Sequence, residues 1–146
     1  MKYAVKKWIW GILFALYLVV LLKLTVFRGN TYAYRILNLK LFVALADVYR
    51  RHGLRQFLWL FGGNIGCFVP FGFLLPVLWR RAKFWHIAAA GFAFSLAIEA
   101  TQYIFRVGIA ELDDLILNTL GVVTGYALYG IVLRKNPNMQ LREIQR

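Results

Sequence analysis

The chain reads as an all-α, polytopic membrane protein: a bundle of four transmembrane helices with an interfacial or re-entrant segment in its first loop. Hydrophobic residues make up 61% of the 146 positions, and the mean hydropathy is +0.60, which points away from a water-soluble domain. Four apolar stretches, Trp8–Phe27, Phe57–Trp79, Phe84–Phe105 and Leu112–Leu133, each supply the roughly 20 residues needed to cross ~30 Å of hydrocarbon. Trp8, Trp10, Trp59, Trp79 and Trp85 cluster at span ends, as membrane-interface belts do. One domain, residues 1–146, uses the whole chain.

The first span follows Lys2, Lys6 and Lys7, an arrangement similar to a signal peptide. The apolar run is too long for one, and no small-residue cleavage site precedes Phe27-Arg28, so an uncleaved span is expected. Lys23 lies near enough to the boundary to reach the headgroups. The loop Arg28–Gln56 carries Arg28, Arg35, Lys40, Arg50, Arg51 and Arg55 around an apolar stretch from Leu41 to Tyr49. That stretch is too short to span, and is expected to lie in the interface or to dip inward under protein cover.

The second span contains Gly62, Gly63, Asn64, Gly66, Pro70, Gly72 and Pro76. Pro70 lacks a backbone donor and predicts a kink or break near mid-span. Gly62 and Gly66 predict close approach of another backbone. The third span opens on small residues (Ala88, Ala89, Ala90, Gly91) and then places Ser95, Glu99, Gln102 and Arg106 at offsets of 4, 7 and 11, one helical stripe. The fourth has a matching stripe: Glu111, Asp114, Asn118, Gly121 and Gly125. A short link makes the last two spans an antiparallel hairpin with facing polar stripes. The tail, Arg134–Arg146, is polar and expected outside the bilayer.

A charged residue at a helix centre costs about 2.5–3.5 kcal/mol on insertion scales. The candidate functional cluster is therefore Asn64, Glu99, Gln102, Arg106, Glu111, Asp114 and Asn118. The carboxylates suit acid–base partners, a proton or cation site, or a charge network with Arg106. An interhelical polar clasp explains the same residues structurally. The two readings are compatible, because a clasp can floor a ligand cleft.

The net charge of +12 sits between and beside the spans, which fits anchoring to anionic headgroups and excludes a nucleic-acid platform. With both termini inside, ten basic residues (Lys2, Lys6, Lys7, Arg80, Arg81, Lys83, Arg134, Lys135, Arg142, Arg146) are cytoplasmic. Seven (Arg28, Arg35, Lys40, Arg50, Arg51, Arg55, Arg106) are outside. The bias favours cytoplasmic termini and puts the polar cluster in the outer leaflet, beneath a basic loop suited to an anionic amphiphile. Cys67 is the only cysteine, so no intramolecular disulfide forms. His52 and His86 lack the spacing of a zinc helix. No nucleophile elbow or P-loop is present. No metal, cofactor or catalytic residue is expected.

Asn64-x-x-x-Phe68-x-Pro70-Phe71-Gly72-x-Leu74-Leu75 resembles the second-span motif of VanZ-like proteins. Ser95-Leu96-x-x-Glu99-x-x-Gln102-x-x-Phe105, then Glu111-x-x-Asp114-x-x-x-Asn118-Thr119-x-Gly121-x-x-x-Gly125, resembles that family's third and fourth spans. Glu111 stands where the family commonly has Asp. Asn38-Leu39-Lys40-Leu41-Phe42 is similar to a first-loop element in which Leu41 replaces a proline. The resemblance implies a small four-helix protein of the bacterial plasma membrane, with Phe68, Pro70, Phe71, Gly72, Gly121 and Gly125 as structural motif residues. It also implies a link to low-level resistance to the lipoglycopeptide teicoplanin. The expected partners are membrane lipids and a lipoglycopeptide or lipid-linked cell-wall intermediate, with a homo-oligomer allowed. Two alternatives stay open. One is an enzyme on a lipid-linked phosphate, with Glu99 or Asp114 as base and Arg106 holding phosphate. The other is a small proton-coupled exporter or accessory subunit.

Overall fold

A computed structural model describes residues 2–27 and 31–135. Arg28 and the tail beyond residue 135 lie outside the described residues. The elements are α1 (Lys2–Thr25), β1 (Ile36–Asn38), α2 (Val43–Leu78), α3 (Phe84–Phe105), β2 (Ile109–Glu111) and α4 (Leu112–Lys135). All four helices are long and apolar enough to cross a membrane. The chain is a multi-pass membrane protein built as an all-α bundle.

α1 turns Ile12, Leu16, Val19, Val20 and Leu24 outward, a lipid-facing surface, and buries Leu21 in the bundle, where Val26 just past its end joins it. Phe68 and Phe71 of α2, Ile87 and Ile98 of α3, and Val122 of α4 complete the core. Phe14 of α1 meets Phe71 edge-on, with ring centroids 5.5 Å apart, a preferred aromatic geometry.

α2 departs from expectation in two ways. Its backbone stays helical through Pro70 and Pro76. Each proline follows a glycine by four residues, Gly66 and Gly72, and that glycine backbone can yield to the ring. The break falls instead at Gly53 (φ 77°, ψ −178°), a left-handed conformation open to glycine. The apolar stretch around Leu41–Tyr49 thus becomes a short helical arm running from Val43 to Gly53, joined to the long span by that one residue.

α2 and α4 run in the same direction and touch backbone to backbone. A Cβ added at Gly121 would collide with the Ile65 carbonyl, at Gly125 with the Val69 carbonyl, and at Gly72 with the Val122 carbonyl. In a bilayer, where apolar contact alone gives helices no reason to prefer one another over lipid, such close approach is what drives association. Gly62, Gly63 and Gly66 have nothing within 4 Å of a built Cβ. The backbone approach expected at Gly62 and Gly66 is made by Gly72 instead.

The loop after α1 doubles back over the α3–α4 turn. β1 pairs in parallel with β2, in the register Ile36↔Ile109, Leu37↔Ala110 and Asn38↔Glu111. This pair caps one end of the bundle.

Candidate functional site

The polar residues gather at the capped end. The facing stripes of α3 and α4 meet as the hairpin requires: Asn118 Nδ2 donates to Ser95 Oγ at 2.9 Å, and both residues are buried. One turn nearer the cap, the backbone N–H of Glu111 donates to Glu99 Oε2 at 2.9 Å. Glu99 is 6% exposed, so its carboxylate ties the start of α4 to α3 from inside the bundle. Asn64 Nδ2 donates to Asp114 Oδ1, which fastens α2 to α4 at the same level. Gln102 Nε2 donates to the Thr25 carbonyl at 3.0 Å and brings in the end of α1.

The cap is bonded to this network. Asn38 Nδ2 donates to Glu111 Oε1 at 2.9 Å. Tyr32 N–H donates to the Arg106 carbonyl at 2.9 Å. Arg106 ends α3 in a left-handed conformation (φ 59°), and its exposed guanidinium donates to the Ala33 carbonyl at 3.1 Å. Arg106 therefore holds the covering loop and lies on the rim of the cluster, whereas Asn64, Glu99, Gln102, Glu111, Asp114 and Asn118 lie within it.

Asp113 was not singled out by the sequence. It is 2% exposed, and its Oδ1 accepts the backbone N–H of Phe42 at 2.8 Å. Phe42 has φ 57°, a strained value for a bulky side chain, and this bond fixes it at the entry to α2. Stripe spacing selected Asp114 and passed over its neighbour, because adjacent helical residues point to different faces. The doubled acid in the first turn of α4 was the available signal, since carboxylates there complement the helix dipole.

Two buried acceptors have no hydrogen-bond partner among the described residues: Asp113 Oδ2 and Gln102 Oε1. Each costs about 1–3 kcal/mol until a proton, a water or a ligand donor meets it. No group of three or more His, Cys, Asp or Glu side chains is placed to hold a metal ion among those residues.

Residues 14–133 match the family model described as VanZ/LLP1. A protein of Enterococcus faecium named Protein VanZ is 33% identical over 141 residues, covering 92% of this chain and 80% of that protein. No solved structure matches.

Proposed function

The chain belongs to the VanZ/LLP1 family, and on that premise we propose that it lowers the action of teicoplanin-type lipoglycopeptides at the outer face of a bacterial plasma membrane. It does so without chemistry of its own, by engaging an amphiphile: the antibiotic's lipid tail or a lipid-linked cell-wall intermediate. Both termini are cytoplasmic. Asn64, Glu99, Gln102, Glu111, Asp114 and Asn118 form the working cluster, and Arg106 carries its cover.

The observation that carries this reading is the gathering of six hydrogen-bonded polar side chains at one end of the bundle, with Arg35 and Lys40 on the covering loop and Arg50, Arg51 and Arg55 on the first part of α2. Each carboxylate among them is expensive in hydrocarbon. The unpartnered oxygens of Asp113 and Gln102 add acceptors that meet no donor among the described residues.

The test is growth inhibition by teicoplanin and vancomycin, side by side, in a susceptible Gram-positive host. Wild type, Glu99→Gln and Asp114→Asn are expressed at matched membrane levels. Protection confined to teicoplanin and lost in both variants is the expected result; no protection by the wild type overturns the reading. Orientation is checked with an impermeant thiol reagent on a cysteine placed at Ile109, in a Cys67→Ser background. Labelling in intact cells is expected.

A further inference from the structure

Gly53 folds the first part of α2 back against the second. Tyr49 and Phe57 lie on either side of it, and their ring centroids are 6.0 Å apart, edge to face. Eight residues of straight helix would separate them by about 12 Å. Residues 43–63 therefore form a V with Gly53 at its apex. Both feet stand on one turn of α4: Phe42 N–H on Asp113 and Asn64 Nδ2 on Asp114. Each arm is about ten residues, or roughly 15 Å, long, so the apex projects past the start of α4.

Between the arms is a cavity of about 380 Å³ lined by Phe42, Leu45, Ala46, Tyr49, Phe57 and Phe61. This lies within the usual range for small-molecule sites, about 300–1,000 Å³. The lining bears no charge. Phe57 and Phe61 stack at 5.5 Å to form one wall, and the Tyr49–Phe57 pair closes the apex end. The outer surface of the V is also apolar: Leu54, Leu58 and Trp59 are 57%, 54% and 76% exposed, as suits a segment set among lipids with tryptophan near the interface.

The charge on the V is concentrated at its apex. Arg50, Arg51, His52 and Arg55 are all exposed there. Asp47, the one acidic residue from 43 to 63, pairs with Arg51 at 3.5 Å. Arg50 and Arg55 then remain as exposed cations at the apex, close in sequence to Tyr49 and Phe57 of the apolar slot. An uncharged slot among lipids would accept any hydrocarbon chain. A chain whose headgroup is anionic gains in addition from the guanidinium groups.

We propose that the V is a binding site for one anionic phospholipid, with an acyl chain between the arms and its phosphate at Arg50 and Arg55. The slot is lined by none of the cluster's carboxylates, although the feet of the V rest on Asp113 and Asp114, and it needs no antibiotic, so its test is distinct from that of the resistance reading.

The test uses purified full-length protein in phosphatidylcholine nanodiscs containing a trace of phosphatidylglycerol or phosphatidylcholine with a photoreactive acyl chain. Crosslinks are mapped by mass spectrometry. Phosphatidylglycerol should label the lining residues preferentially. Replacing Arg50 or Arg55 by Gln should lower that preference about fivefold each. Ala46→Trp should fill the slot and abolish the label, while Ala100→Trp on the exposed side of α3 should leave it intact. Monodisperse elution of each variant controls for folding, and the arginine variants carry the test if Ala46→Trp fails to fold. Labelling spread evenly over the lipid-facing surface, or equal for the two headgroups, overturns the site. Labelling of the slot by a photoreactive lipoglycopeptide tail but not by phospholipid overturns the choice of occupant.

Discussion

At the level of Val122, the backbones of α2 and α4 meet with only glycine at Gly72, Gly121 and Gly125 between them, and Gly91 lets the Val122 side chain reach α3. About two turns toward the cap, at Glu99, the same helices meet through amides and carboxylates. The first region is held by shape: nothing larger than hydrogen fits at those glycines, and packing is dense. The second is held by direction, through bonds whose individual worth in membrane proteins averages only about 0.6 kcal/mol. Shape fixes how near the helices lie, and the polar bonds fix which residues face each other and what covers them. Among the described residues, the buried side-chain acceptors left without a partner, Gln102 Oε1 and Asp113 Oδ2, lie at the second region, which is why it is the candidate site.

The contrast breaks most severely at the glycines. Gly125→Val puts a branched side chain into the Val69 carbonyl, and should abolish folded protein as judged by monodisperse yield. Gly72→Ala should cost about 1–3 kcal/mol or more, read as a lowered thermal midpoint in detergent.

The polar end should respond more gently and more specifically. Asn118→Leu leaves Ser95 Oγ without its donor inside the bundle and should cost about 1–3 kcal/mol. Glu99→Gln keeps an acceptor for the Glu111 N–H, so stability should change little while teicoplanin protection falls. If stability and protection fall together, the carboxylate serves only the clasp.

Asn38→Leu removes one bond between loop and cluster. It should cost only about 0.5–1.5 kcal/mol of stability, but raise hydrogen exchange from residue 32 to residue 40. The smallest effect is expected at Gly62→Ala, which meets open space and should be neutral or stabilising by up to about 1 kcal/mol through helix propensity. A large loss there would mean that another surface packs on that face.

Much of this arrangement was legible in the sequence because polar residues stand out in apolar spans. Ser95, Glu99, Asp114 and Asn118 fell on stripes, and a short link made those stripes face each other. Asn64, between glycines, was equally conspicuous. What stayed hidden depended on contacts far apart in the chain. Asn38 meets Glu111 across 73 positions and Phe42 meets Asp113 across 71, and no local periodicity encodes such pairs. Pro70 misled because proline's effect depends on its neighbours. The helix absorbs it beside Gly66 and turns at Gly53, where a positive φ is required.

The parallel pairing of β1 with β2 also sets a schedule for biosynthesis. β1 leaves the ribosome early, yet its partner strand is made only after two further spans have been synthesised. Until the α3–α4 hairpin is in place, the loop of residues 31–42 has no strand to pair with and no Glu111 or Asp113 to receive it. The cover of the polar cluster therefore cannot close until the chain has passed residue 111, and a nascent chain stopped short of that point carries three spans without the lid.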